Sequence, residues 1–356
     1  MSESSNESEV GENYLGLDSS ISKFLTNHSL KSNLLVTGES YTYFSDLPKS
    51  FQEFPDETIT SSCRTISGPE FMLGVDEAGR GPVLGPMVYG LFYLPVPLAD
   101  SLLRETHQFD DSKVLTPDFR NSLMRKICTP GTDLHHQCGW AVKVLSARDI
   151  GSNMMKPGTT YNLNAQAMDA TVALIKGVYE KGINVKEIYI DTIGKPETYQ
   201  KKLEGIFPTA RITVAKKADS LYPCVSAASV CAKVTRDAAL ELLHDQYLQE
   251  IREEMGDKLL DGKTELSWGS GYPSDAKCTQ WLKSNINAVF GWGNECRFSW
   301  GTAKNLLDQN DLAVEVEWPD EDVEPYQLTQ FFGFKNDKET DELSTWFGRP
   351  LETAFF

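Results

Sequence analysis

Three apolar runs in this chain end in, or just before, acid: Leu73-Gly-Val-Asp76-Glu77, Glu187-Ile-Tyr-Ile-Asp191, and Arg211-Ile-Thr-Val-Ala215, followed after two lysines by Ala218-Asp219. In open sheets containing parallel strands, ligand sites lie beyond the carboxyl ends of the strands, so residues far apart in sequence come to share one edge. Four carboxylates gathered there repel one another unless a cation joins them. An all-oxygen set suits Mg²⁺ or Mn²⁺, and Mg²⁺ keeps coordination positions free for water and phosphate oxygens. Two such ions about 3.5–4 Å apart activate a water and stabilise the leaving oxygen of a phosphodiester. Any one of these acids alone is more often a turn residue or a helix cap. Their joint placement at strand ends is what points to metal-dependent chemistry.

Positioning the acids requires a sheet. Phe71–Asp76 and Met87–Leu94 read as a hairpin, and Trp140–Leu145 as a third strand, after a helix over 117–127 with Thr116 as N-cap. A helix over about 164–181 has a broad apolar face. Then come strand 187–191, helix 196–206, strand 211–215 and a helix over about 223–250. Strand, helix, strand implies a right-handed crossover and parallel pairing. The expected architecture is α/β: a mixed sheet, antiparallel in its first half and parallel in its second, flanked by helices. Asp76 and Glu77 would face opposite ways on a continuing strand, but a turn at Ala78-Gly-Arg-Gly-Pro82 is expected to let them converge. A Gly/Ser-rich turn at 268–275 precedes an expected helix over 275–289.

The chain has 356 residues, 40% apolar and 24% charged, which excludes a collagen, a coiled coil and a wholly disordered protein. Its net charge of -17 lies at the ends, -7 over residues 1–70 and -10 over 308–356, around a neutral middle. Only the surface facing a polyanion matters for steering, so the overall charge excludes no substrate. The 7 cysteines include no C-x-x-C pair, as in an intracellular protein with reduced thiols. The polar N-terminus has no secretory pattern. The uncharged stretch 81–99 holds four prolines, so a strand between turns is expected and no membrane span. Residues 1–13 are expected to be disordered; the aromatic-containing stretch 14–68 gives no clear reading. The domains expected are an N-terminal extension (1–69), a catalytic domain (70–250), a C-terminal helical subdomain (251–307) and an acidic tail (308–356).

The run Gly74-Val-Asp-Glu-Ala-Gly-Arg-Gly-Pro-Val-Leu-Gly-Pro-Met-Val-Tyr89 closely resembles the signature of type-2 ribonuclease H, in the form of the catalytic subunit of the eukaryotic heterotrimer. Asp111-Ser-Lys113, Tyr161-Asn-Leu-Asn164, Tyr189-Ile-Asp-Thr-Ile-Gly194, Ala218-Asp-Ser-Leu-Tyr-Pro223, Val225-Ser-Ala-Ala-Ser229, Ala232-Lys-Val-Thr-Arg-Asp237 and Gly269-Ser-Gly-Tyr-Pro273 match in order, covering roughly 70–305. The resemblance implies a ribonuclease-H-like five-stranded mixed sheet with a C-terminal helical subdomain. It implies an endoribonuclease that hydrolyses the phosphodiester 5' of ribonucleotides embedded in duplex DNA, and the RNA strand of RNA/DNA hybrids, by two-metal-ion catalysis. The products are 5'-phosphate and 3'-hydroxyl ends, and the setting is ribonucleotide excision repair and primer removal in DNA replication.

Carried over residue by residue, Asp76, Glu77, Asp191 and Asp219 match the family's metal-binding catalytic carboxylates, for two Mg²⁺ or Mn²⁺ ions. Gly79, Arg80 and Gly81 match the backbone loop that contacts the ribose 2'-OH, and Tyr272 matches the tyrosine at the ribonucleotide–deoxyribonucleotide junction. Lys113, Asn162 and Arg236 match positions near the substrate backbone or the support of the site. The lysine doublets 201–202 and 216–217 are either part of a basic face or solvated charges. Two non-catalytic partner subunits and a nuclear location follow from the resemblance alone. The segment 326–332, with Leu328, Phe331 and Phe332, is similar to part of a sliding-clamp-binding motif but has Pro325 where that motif has glutamine; docking on a partner protein of the heterotrimer is the competing reading. Two rivals stay open at this point: a resolvase- or transposase-like nuclease on the same kind of sheet, and a non-catalytic assembly subunit.

Overall fold

A computed structural model describes residues 20–52, 69–109, 115–156, 161–192, 194–255 and 267–309. The chain divides into two units at 313/314, and the second lies wholly outside the described residues. Lys113, residues 1–13 and the 326–332 segment lie outside them too.

In chain order the first elements are α1 (Ile21–Thr26), α2 (Ser32–Val36), β1 (Tyr41–Phe44), α3 (Lys49–Gln52), β2 (Phe71–Ala78) and β3 (Met87–Pro95). After a 3₁₀ turn (Val96–Leu98) and a wider, π-helical stretch (Ala99–Thr106) come α4 (Pro117–Cys128), α5 (Asp133–Gln137), β4 (Gly139–Leu145), α6 (Ala147–Met155) and α7 (Leu163–Glu180). The crossover part is β5 (Val185–Asp191), α8 (Pro196–Ile206), β6 (Arg211–Ala215), α9 (Ala218–Leu221) and α10 (Pro223–Met255), followed by α11 (Ala276–Ser284) and α12 (Gly301–Asp308). The six strands run in the order β1-β4-β3-β2-β5-β6. The β1, β4, β3 and β2 pairings are antiparallel; β2 with β5, and β5 with β6, are parallel.

The mixed sheet is as expected, but it has six strands rather than five. The additional strand comes from the stretch that composition left unread. Tyr41–Phe44 pairs with Ala141–Val144 and covers what would otherwise be an open edge. Thr116 caps α4 by accepting from the Phe119 N–H, as its position before Pro117 implies. The helix expected over 275–289 stops at Ser284; Asn287 then pairs its backbone with Gly291, which has a left-handed φ of 72°.

The two sheet faces carry separate cores. On one, Met72, Val88, Phe92 and Leu94 pack under α10. On the other, Leu73, Val75, Leu91 and Tyr93 pack under α7 with Ile188, Ile190 and Val214. Strand alternation assigns the sides. The first face admits α10 closely because it has glycine where a side chain would collide. A Cβ on Gly74 would lie 2.3 Å from the Cys224 backbone, and one on Gly90 would lie 2.3 Å from the Ala228 carbonyl oxygen. A third cluster, with Trp268, Trp281, Trp292 and Cys296, forms around Val83 and Leu84 of the loop after β2. The six described cysteines are free and buried. No helix among the described residues is long and apolar enough to cross a membrane.

Candidate active site

Strand β2 continues through Ala78 instead of turning at Glu77, which corrects the expectation that a turn brings the two acids together. Asp76 falls on the α10 face, beside Ser229, and Glu77 on the α7 face, opposite Tyr89 of β3. They meet other carboxylates because β5 lies parallel to β2, with Val75 level with Ile190, so Asp191 ends its strand next to them. Burial, followed by repulsion from Glu77 and Asp191, pushes the Asp76 carboxyl well above the usual carboxylate range, although Ser229 and the Glu77 N–H (2.7 Å) bond to it. Glu77 is pushed up to about 7, mainly by burial and further by Asp191, with Arg80 opposing the shift.

Asp191 accepts the Ala218 N–H at 2.8 Å, which ties the end of β5 to the start of α9. Lys217, in the left-handed conformation at φ 56°, makes the turn into that helix. Asp219 follows directly, 5% exposed, and opens on a hollow of 370 Å³ between Arg104, Phe109 and Leu221. Glu77 and Asp191 face a cleft of 530 Å³ between α7 and α8, rimmed by Arg80, Lys195 and Lys202. Strand alternation and the β5–α9 turn thus set the four acids along one end of the sheet.

Among the described residues no three His, Cys, Asp or Glu side chains already form a closed cation cage. The donor chemistry nevertheless fits a hard divalent ion. Asp76 is 5% exposed and beside two further acids, a placement that disfavours its charged form without a compensating cation.

The second half of the site is the loop after β2. Gly79 has φ 76°, and a Cβ there would lie 2.7 Å from the Pro86 carbonyl oxygen. Gly81 lies against the Tyr272 ring: a Cβ on it would be 3.4 Å from the ring edge. The Val83 and Leu84 N–H groups both donate to the Gly271 carbonyl, so this loop and the Tyr272 turn are one structure although about 190 residues separate them in sequence. Tyr272 is 39% exposed and free to meet a ligand. Arg236, by contrast, is 5% exposed; it donates to the Ser270 carbonyl and to Asp237, and its guanidinium lies 5.7 Å from the Tyr272 ring. Asn162 caps α7, accepting from the Asn164 and Ala165 N–H groups. Asn164 in turn accepts a hydrogen bond from Arg80.

Sequence reasoning gave no role to Tyr89, Ser229, Arg297 or Trp300. Tyr89 and Ser229 stand inside the quoted motifs; the β2–β3 register sets Tyr89 opposite Glu77, whereas Ser229 reaches Asp76 from helix α10. Arg297 and Trp300 carry no local signal. Arg297 is fully buried yet donates to the carbonyls of Gly79 (2.7 Å), Arg80 (3.1 Å) and Gly85 (3.0 Å). Trp300 donates to the Gly81 carbonyl at 3.1 Å and stacks on Arg297, whose guanidinium carbon lies 4.8 Å from its ring centre.

A ribonuclease H2 subunit from Neurospora crassa is 56% identical over 328 residues, 90% of this chain and 94% of that protein. The corresponding ribonuclease H2 subunit from Schizosaccharomyces pombe is 45% identical over 78% of this chain and 79% of its own length. Among solved structures, ribonuclease H2 from Pyrococcus horikoshii OT3 aligns with a TM-score of 0.48 at 26% identity, covering 66% of this chain and 96% of that one. The family model for ribonuclease HII matches residues 73–303, a span holding all four acids, the glycine loop and Tyr272. The chain belongs to the ribonuclease HII family.

Proposed function

We propose that the acidic sheet edge is the catalytic centre of a metal-dependent endoribonuclease, and that Asp76, Glu77, Asp191 and Asp219 are its metal-binding residues. The enzyme acts on RNA/DNA hybrids and removes ribonucleotides from duplex DNA, cutting on the 5' side of the ribonucleotide to leave 5'-phosphate and 3'-hydroxyl ends. The observation that carries this reading is the gathering of buried, mutually repelling carboxylates at the ends of two neighbouring parallel strands, beside a loop whose glycines let a sugar approach the main chain.

Divalent ions held there, two with substrate bound and either Mg²⁺ or Mn²⁺, supply charge neutralisation and water activation. The chain's own groups do the rest. The carboxylates hold the ions once deprotonated, and Ser229 and the Ala218 N–H orient two of them. Gly79, Arg80 and Gly81 present main chain to the 2'-OH, the group that distinguishes RNA from DNA at one position. Tyr272 stacks beside that sugar from the neighbouring turn. Lys113 is proposed to contact the substrate backbone. Asn162 and Arg236, one a helix cap and the other committed to Ser270, are proposed to support the site.

The two fungal relatives described above are both named as subunits of ribonuclease H2. By that likeness the chain is one component of a multi-subunit enzyme, and we infer two non-catalytic partners, a nuclear location, and an organisation into extension, catalytic domain, helical subdomain and acidic tail at the boundaries given above. The clamp-like segment is a minor part of this reading.

The test is cleavage, with Mg²⁺, of a labelled DNA duplex holding one ribonucleotide, beside an RNA/DNA hybrid and an all-DNA duplex, using chain purified with its partners. Cutting 5' of the lone ribonucleotide is expected, with Asp191→Asn lowering kcat at least about 100-fold. Cutting of the all-DNA duplex, or an Asp191→Asn protein as active as the parent, would remove the assignment.

A further inference from the structure

We propose that Arg297, with Trp300, is the positioning residue for 2'-hydroxyl recognition: its buried guanidinium turns the carbonyls of the Gly79–Gly81 loop inward and so aims the Arg80 and Gly81 N–H groups at the sugar. The inference rests on the functional reading above and assigns the group that enforces it.

Each peptide unit carries its C=O and N–H on opposite sides when trans, and the described chain has no cis peptide. The Gly79 carbonyl belongs to the same unit as the Arg80 N–H, and the Arg80 carbonyl to the same unit as the Gly81 N–H. Both carbonyls are engaged by Arg297, so both N–H groups point away from it. Neither has a hydrogen-bond partner among the described residues. The other two carbonyls held by this pair, of Gly81 (by Trp300) and Gly85 (by Arg297), precede Pro82 and Pro86. Those units have no N–H, so turning them inward strands no donor. The loop therefore offers two adjacent, unused donors on its outer side, next to the exposed Tyr272 ring.

Arg297 does not behave as an ordinary core residue. Buried charges are normally paired with an acid, but no carboxylate pairs with Arg297 among the described residues. Its donors go to carbonyls of the β2–β3 loop, and the nearby Arg236 makes its charge harder to hold. Burial pulls it down to about 9, which still leaves it protonated at neutral pH. A core that needed only volume would be served better by an apolar side chain. What a fork-shaped cation supplies, and an apolar one does not, is simultaneous hold on several carbonyls of one turn.

Single-turnover cleavage by the complex with its partner subunits tests this, using two duplexes that differ only at one sugar, ribose or 2'-fluoro. Fluorine is a poor acceptor, so it probes the loop N–H groups. Arg297→Gln is expected to lower the rate on the ribose duplex about 100-fold while changing the 2'-fluoro rate less than about threefold, collapsing the ratio between them. A residue with a merely structural role would lower both rates together; equal falls, or an unchanged ratio, would overturn the proposal. If Arg297→Gln does not fold, Trp300→Phe keeps a ring stacked on the guanidinium but loses the donor to Gly81. It is expected to lower the same ratio about tenfold, and an unchanged ratio there also overturns the proposal. Failure of the parent protein to cut the ribose duplex would instead sink the functional reading, and this inference with it.

Discussion

Burial, with a smaller push from Asp191, raises the Glu77 carboxyl to about 7 in the metal-free fold, against about 4.5 in an unfolded chain. Between those values the metal-free folded state binds a proton that the unfolded state has lost, so this group lowers stability as pH rises through the window. In chelator, Glu77→Gln is therefore expected to be more stable than the parent by on the order of 1 kcal/mol at pH 8 and little different at pH 4.5, measured by urea unfolding. The same residue titrates against metal: protons compete for the carboxylates, so Mg²⁺ affinity is expected to weaken below about pH 7. Mg²⁺ at about 100 times its Kd should stabilise the parent by about 2.7 kcal/mol, and Asp76→Asn by much less. Thermal unfolding with and without Mg²⁺ checks this. A parent protein indifferent to Mg²⁺ would refute the carboxylate site whatever its cleavage activity.

The close seating of α10 on β2 and β3 connects packing to the site. Gly74 and Gly90 leave no room for a methyl group against the Cys224 and Ala228 backbone, and the same approach brings Ser229 to Asp76. Gly90→Ala is expected to cost about 2–3 kcal/mol or more and to weaken Mg²⁺ binding, although it touches no carboxylate. Urea midpoints and Mg²⁺ titration of one preparation check both effects. Helices α4, α8 and α10 were legible because capping, proline and apolar signals agree locally; α8 and β6 match their expected limits, Pro196–Ile206 and Arg211–Ala215. Strand β1 was not legible. Its four residues are too few for their alternation to stand out from the aromatic-containing stretch around them, and the edge that β4 offers is what makes them a strand.

Across the molecule, the loop over 79–85 belongs to two bodies of packing at once. It leaves the central sheet and ends in the tryptophan cluster through Val83 and Leu84, where Leu84 bridges to Cys296. Trp281, 1% exposed, supports that cluster. Trp281→Ala is expected to lower stability by about 3–5 kcal/mol. It should also reduce cleavage of the lone-ribonucleotide duplex at temperatures where the variant remains folded, because the loop loses its anchor. Circular dichroism melts alongside cleavage rates test the coupling, and full activity in the folded variant would show that the loop holds its shape unaided.

By itself the sequence determined which residue types are present and in what order: four acids at or just past the ends of apolar strands, a glycine-rich turn, a tyrosine turn, and the order of strands and helices that carries them. Those are local signals, set by residue type and spacing over a few turns of chain. Tertiary structure decided how they act together. Asp76 and Glu77 lie on opposite faces of β2 and reach a common edge only because β5 pairs in parallel beside them. The carbonyls of the glycine loop face inward because of Arg297 and Trp300, more than 200 residues away. No periodicity or motif records such contacts, since a buried arginine and its carbonyl partners are matched by shape and hydrogen-bond geometry after folding, not by spacing along the chain.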